Sequence, residues 1–198
     1  MTGNDRSLVE FPALSAPLRW RNISLTGFQV LDDLPPIEEV QSVNVVPFVG
    51  NACIVIGLAD GSVSLPGGTM ERGESFLETA RRELREEVGA EIRSLALVGQ
   101  WACHSHDPRP WRSHLPHPDF IRLVLCGEVE IVGPPENPTD GEQVARVEVL
   151  SLNAAVACLA AAQRHELAAL YQVAHEIWTK ALVPSPSIRR FDAHRLDR

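Results

Sequence analysis

Gly68-Thr69-Met70-Glu71-Arg72-Gly73-Glu74, leading on to Arg82-Glu83-Leu84-Arg85-Glu86-Glu87-Val88-Gly89-Ala90, is the stretch around which this 198-residue chain is organised. Ser75 followed by Glu78 forms a capping box, so a helix is predicted to start there. Gly89 supplies the permissive backbone that ends it. Leu77, Ala80, Leu84 and Val88 recur at helical spacing and make one apolar stripe. Glu83, Glu86 and Glu87 share the side of the helix beside that stripe, because residues three and four apart are surface neighbours.

This arrangement is unfavourable in itself. Like charges at such spacing cost roughly 0.2–0.5 kcal/mol per pair, and these lie toward the C-terminal end, where the helix dipole is already negative. Arg82 stands four residues before Glu86, the weaker orientation for an ion pair. A solvated charged face is the ordinary explanation for such a run. The other explanation is a hard divalent cation held among the carboxylates, since oxygen ligands suit Mg²⁺ or Mn²⁺. Local rules broken without evident compensation tend to mark functional sites.

The spacing of Gly68, Glu74, Arg82-Glu83-Leu84, Glu86-Glu87 and Gly89 resembles the Nudix box, the signature of the Nudix hydrolases. Every fixed glycine, glutamate and arginine position across these 23 residues is filled. The one departure is Ala90, where the pattern favours a bulky aliphatic; it weakens a packing contact more than any chemistry. The resemblance implies an α/β (α+β) fold, an α/β/α sandwich with a mixed sheet between helices. It implies divalent-metal-dependent hydrolysis of a diphosphate linkage in an ADP-ribose-like compound, a dinucleotide, a nucleotide sugar or a (d)NTP. Glu83, Glu86, Glu87 and Gly68 would hold Mg²⁺ (or Mn²⁺), and Gly67 and Gly68 would line the diphosphate site. Arg82 would orient Glu83, and Glu74 would brace the loop through an ion pair with a helix arginine. The general base is a box glutamate in some members and a downstream loop glutamate in others; here Glu142 is the downstream candidate, with Glu83 next in line. A catalytically silent, nucleotide-binding regulatory module is the alternative, although a pure binder has no need of so costly an acidic cluster.

Composition places limits on the rest. With 44% hydrophobic and 22% charged residues the chain reads as an ordinary globular protein able to bury a core. A formal charge of −8 disfavours nonspecific nucleic-acid binding but not a small metal-bound nucleotide. No apolar run approaches the roughly 20 residues that span a bilayer, and no leader pattern opens the chain, so no membrane partner and a cytoplasmic location are expected. Cys53, Cys103, Cys126 and Cys158 are scattered and read as free, buried thiols.

Residues 1–42 form a proline-rich N-terminal extension, with a short strand or two expected around Leu18–Leu31, packing on the domain or against a second copy as a homodimer contact. The Nudix-like domain is expected to span 43–183, and a flexible tail 184–198. Strands are predicted at Val43–Val49, Cys53–Leu58 (with a hairpin turn at Asp60-Gly61), Leu95–Cys103, Phe120–Val132 and Val144–Val149. Phe120–Val132 is apolar on both faces and so central; Val144–Val149 alternates as a half-buried strand, with Ala145, Val147 and Val149 inward. Asn153–Val183 is helical, with a break near Ala162 and a core-facing stripe of Leu167, Leu170, Tyr171, Ala174, Ile177 and Trp178. The long loop from His104 to Asp119 is where substrate choice should lie: Trp111 could stack on a base and Arg112 pair with a phosphate. Its histidines read as polar loop residues rather than zinc ligands.

Overall fold

Gly89 takes φ 71°, in the left-handed region, and a Cβ there would overlap the Gly133 carbonyl oxygen. Glycine alone meets both demands. Its carbonyl accepts the N–H groups of Val132 and Gly133 at 2.8 and 3.1 Å, so the chain reverses from helix straight into strand. The strand that the apolar pattern predicts from Leu95 therefore begins at Ala90, with Ile92 buried between exposed Glu91 and Arg93.

The computed structural model describes residues 11–139, 141–182 and 190–192. In chain order they form α1 (Pro12–Ser15), β1 (Leu18–Trp20), β2 (Ile23–Leu25), β3 (Gln29–Val30), β4 (Val40–Val49), β5 (Ala52–Leu58), β6 (Val63–Ser64), β7 (Gly67–Thr69), α2 (Phe76–Val88), β8 (Ala90–Ser105), β9 (Asp119–Ile131), β10 (Val144–Ser151), α3 (Leu152–Ala161), α4 (His165–Leu182) and β11 (Arg190–Asp192). The strands make one curled sheet along the path β1-β2-β8-β9-β4-β5-β10. β3 and β11 also pair with β8, β6 with β5, and β7 with β4. β4 and β9 run parallel while their other neighbours are antiparallel, so the sheet is mixed, as expected. β9 lies between β8 and β4, the central place its two apolar faces predict.

Each face carries its own core. Val43, Val45, Ile54, Ile56, Leu123 and Leu125 pack with Ala80, Leu84 and Val88 of α2. On the other face Val46, Phe48, Val55, Val124 and Cys126 pack with Ala155 and Leu159 of α3 and Leu170, Tyr171, Ala174 and Trp178 of α4. Burying each such side chain stabilises by about 1.5–3 kcal/mol. Tyr171 is fully buried and its hydroxyl donates to the Ile54 carbonyl at 2.6 Å, so its one polar atom is satisfied. The helical segment breaks at Ala162–Arg164, where Gln163 takes φ 60°, close to the predicted position.

Four other boundaries or exposures differ from the pattern. β4 begins at Val40 rather than Val43, and β9 runs from Asp119 to Ile131. β10 runs on to Ser151, and among the described residues it pairs on one side only, with β5. A register shift between Val144 and Arg146 leaves Ala145 exposed rather than inward, whereas Val149 keeps the face of half-buried Val147 but stays exposed near the end of the strand. In the N-terminal segment, β2 and β3 pair with β8 of their own chain. Val183 and the tail from Pro184 lie outside the described residues except for Arg190–Asp192, whose backbone pairs with Ser94–Ala96. Cys53, Cys103 and Cys126 are buried and Cys158 half-buried, all as free thiols. No helix among the described residues is long and apolar enough to cross a membrane.

Gly89→Ala should lower stability by about 2 kcal/mol through left-handed strain alone, with overlap against Gly133 adding to it. A drop in Tm of roughly 4–8 °C is expected in a thermal melt; an unchanged Tm would mean that the reversal tolerates a side chain.

Candidate functional site

Helix α2 is built as its sequence directs. The Ser75 hydroxyl accepts from the Glu78 N–H at 3.3 Å, and the Glu78 carboxylate accepts from the Ser75 N–H at 2.7 Å. Burying Ala80, Leu84 and Val88 against the sheet fixes the rotation of the helix. That rotation also carries Glu83 and Glu87 inward, where they are only 7% and 5% exposed. Glu86 remains half-buried.

The carboxylates meet strand β7. Glu87 Oε2 accepts from the Gly67 N–H at 2.9 Å. A Cβ on Gly68 would overlap the Glu83 carboxylate, and one on Gly67, whose φ is 143°, would overlap the Val43 carbonyl. Gly68 therefore lets the helix and β7 come this close, and Gly67 lets β7 lie against β4. Arg82 Nη1 donates to Glu83 Oε1 at 2.8 Å and to Glu86 Oε2 at 3.3 Å. Its Nε and Nη2 bond the two oxygens of Glu74 at 2.8 and 3.1 Å, and Nη2 also reaches the Thr69 carbonyl at 3.0 Å. Glu74 Oε2 accepts further from the Glu71 N–H and the buried Thr79 hydroxyl, both at 2.8 Å. One arginine thus reaches both Glu83 and the loop glutamate.

The electrostatics follow from burial. Burial pushes Glu87 up to about 8; the Gly67 amide opposes this, while Glu83, Glu142 and Glu86 add to it. Burial also raises Glu83, against the pull of Arg82. Glu74 lies below its ordinary value: burial works the other way, but Arg82, the Glu71 amide and Thr79 outweigh it. The donors are all oxygen and carry excess negative charge, which suits a hard divalent cation. The side chains do not form a finished cage, since no three His, Cys, Asp or Glu groups among the described residues converge on a metal-sized space. Glu83 and Glu86 turn to Arg82 instead, and Glu87 to the Gly67 amide.

The remaining candidates are placed differently. Glu142 is exposed on the loop before β10, near enough to Glu87 to add to its upward shift. Arg112 lies 3.9 Å from Glu71, and His114 Nε2 is 3.2 Å from the Met70 carbonyl, which ties the loop between β8 and β9 to the segment entering α2. Trp111 stands on that loop 80% exposed, outside the carboxylate cluster. The other loop histidines each have a nearby partner: His104 has Asp119, His106 has Ser24, and His117 has the Asp107 carbonyl. Two polar residues outside the expected set lie on the α3/α4 face of the sheet, Asn44 in β4 buried and Arg122 in β9 half-buried. Each is a single polar residue inside an apolar run, and that interruption was the signal.

Comparison with known proteins identifies the family and the fold. The NUDIX domain model matches residues 35–171. An ADP-ribose pyrophosphatase of Methanocaldococcus jannaschii is 36% identical over 70 residues, covering 35% of this chain and 40% of that protein. A mutant pyrophosphohydrolase of Bacillus subtilis superposes with a TM-score of 0.51 at 16% identity, over 69% of this chain and 77% of that one. A NUDIX hydrolase of Nitrosomonas europaea gives 0.46 at 20% identity, over 61% and 78%. Members of this family generally use divalent metal ions. The matched region runs from just before β4 into α4 and takes in every residue of the carboxylate cluster, and on that ground the chain belongs to the Nudix hydrolase family.

Proposed function

We propose that this chain is a divalent-metal-dependent pyrophosphohydrolase acting on the diphosphate linkage of a nucleoside diphosphate derivative, with an ADP-ribose-like compound the leading class. One observation carries the reading: two buried carboxylates, Glu83 and Glu87, face the Gly67–Gly68 strand, with a single guanidinium shared among Glu74, Glu83 and Glu86. Glu83, Glu86, Glu87 and the Gly68 carbonyl would hold Mg²⁺ (or Mn²⁺). Such an ion supplies charge neutralisation for the phosphate oxygens, the main requirement of phosphoryl chemistry.

The chain's own residues do the rest. Arg82 holds Glu83 in place, and Glu74 locks Arg82 through two hydrogen bonds. The Gly67–Gly68 backbone, bare of side chains, lets the diphosphate approach. Glu142, exposed on its loop, takes the proton from the attacking water. Trp111 is available to stack on a base, and Arg112 to pair with a phosphate.

Phosphate release with phosphatase coupling, assayed across ADP-ribose, dinucleoside polyphosphates, NADH, nucleotide sugars and (d)NTPs in Mg²⁺ or Mn²⁺, tests the reading. Glu87→Gln should lower kcat/KM by roughly 10²-fold or more; full activity in that variant would remove the cluster from the chemistry. Glu142→Gln should depress kcat by about 10²-fold. A rate within a fewfold of the unmutated chain would move the base to Glu83.

The raised Glu87 carboxyl also fixes a sign. Between its ordinary range and about 8 the folded chain keeps a proton that the unfolded chain has lost. Stability without metal should therefore fall as pH rises across that window. Melts in chelator at pH 5 and pH 8 should show a lower Tm at pH 8, and Glu87→Gln should shrink the difference; an unchanged difference would mean Glu87 ionises normally.

A further inference from the structure

Arg122 projects from the middle of the sheet, half-buried, with no carboxylate in ion-pair range among the described residues. Burial holds its guanidinium below the ordinary value, and Glu142 and Glu166 act on it only from a distance. A cation in such a place is costly unless something answers it. What the protein supplies is aromatic: the Arg122 Cζ lies 5.6 Å from the centre of the Trp20 ring, and the Arg21 Cζ lies 4.9 Å from the same ring. Two guanidinium groups are thereby gathered at one indole in a chain of net charge −8.

The strand register shows what surrounds it. Arg122 is paired with Trp101 of β8 on one side and Ser42 of β4 on the other, so all three side chains share a face. Asn44, two residues on from Ser42, shares that face too. Asn44 Oδ1 and Trp101 Nε1 are both buried with no hydrogen-bond partner among the described residues. Native proteins rarely leave such atoms unpaired. A guanidinium without an acid, an indole N–H without an acceptor and a carboxamide oxygen without a donor on one face describe a ligand site rather than a core. The same row continues from Ser42 to Thr69 of β7, whose carbonyl anchors Arg82. Arg122 shares the α3/α4 face with Phe120 and Val124 while α2 packs on the other face, and the two sides meet at β7, where Gly67 pairs with Asn44 and its N–H reaches Glu87.

We propose that the face around Arg122, on the side of the sheet opposite α2, is an anion subsite holding a phosphate monoester of a substrate that rounds the sheet at β7 from the carboxylate cluster, and that the β1–β2 hairpin completes it through Trp20. The substrate class is then a nucleoside diphosphate derivative carrying an extra phosphate on a ribose or sugar. This rests on the reading above, in which Glu83, Glu87 and β7 hold the diphosphate. It also gives the N-terminal segment a task at the site. Arg122 acts here in binding and discrimination, not in the bond-breaking step.

The test compares ADP-ribose with its 2′-phosphorylated form, using the full-length chain, Arg122→Gln, Arg122→Lys and the surface variant Trp20→Ala. Calorimetric binding in chelator and steady-state kinetics in Mg²⁺ are both read. The phosphorylated compound should bind and show kcat/KM at least roughly tenfold better than ADP-ribose. Arg122→Gln should bring that ratio near one, Arg122→Lys should restore part of it, and Trp20→Ala should reduce it while leaving the fold, read by circular dichroism, intact. No preference in the unmutated chain, or one indifferent to Arg122, overturns the subsite. Hydrolysis without an Arg122-dependent preference would sink the subsite and leave the enzymatic reading standing. Arg122-dependent binding without hydrolysis would do the reverse.

Discussion

A single guanidinium holds the centre of this protein together. Arg82 divides its donors among Glu74, Glu83, Glu86 and the Thr69 carbonyl. It offers one positive charge against those three carboxylates and Glu87 beside them. An excess of negative charge in a buried place has two outlets: a carboxyl keeps its proton, or a cation enters. The upward shift of Glu87 is the first outlet, and on our reading a divalent ion is the second. Both come from the same packing, because the stripe that buries Leu84 and Val88 is what carries Glu83 and Glu87 inward.

The sheet turns this local tension into a site. β7 is only three residues long, but its pairing with β4 in the register Asn44 to Gly67 sets the two glycines directly beneath α2. The loop between β8 and β9 is tied back to Met70 and Glu71, which keeps its exposed tryptophan on the same side of the molecule as the entry to the helix. The N-terminal segment adds strands to β8 and curls Trp20 over Arg122. Rigid pairing thus carries the positions, while the loops carry the variation.

Much of α2 and its surroundings was legible in the chain because the determinants are local. A cap at Ser75, a stop at Gly89 and a stripe between them need no knowledge of the rest of the fold. Acidic residues at helical spacing could likewise be read as sharing one side. What could not be read was anything that depends on sheet order. Asn44 and Arg122 are merely polar residues in apolar strands until the register places them on a common face with Trp101. Ala145 alternates as if inward, yet a bulge turns it out, and Val149 keeps the inward face but is left uncovered near the end of its strand. The early start of β8 was written in Ala90-Glu91-Ile92-Arg93, an alternation masked by its position directly after a helix. The family resemblance rested on the box at residues 68–90 and so said nothing of Arg122.

The most direct measurement is anomalous diffraction from crystals grown with Mn²⁺ and a nonhydrolysable nucleotide. The account predicts a peak among Glu83, Glu86 and Glu87 at roughly 2.0–2.3 Å from carboxylate oxygens, with Arg82 drawn away from Glu83 and kept on Glu74. Carboxylates still bonded to Arg82 and to the Gly67 amide at millimolar Mn²⁺, with no peak between them, would contradict it.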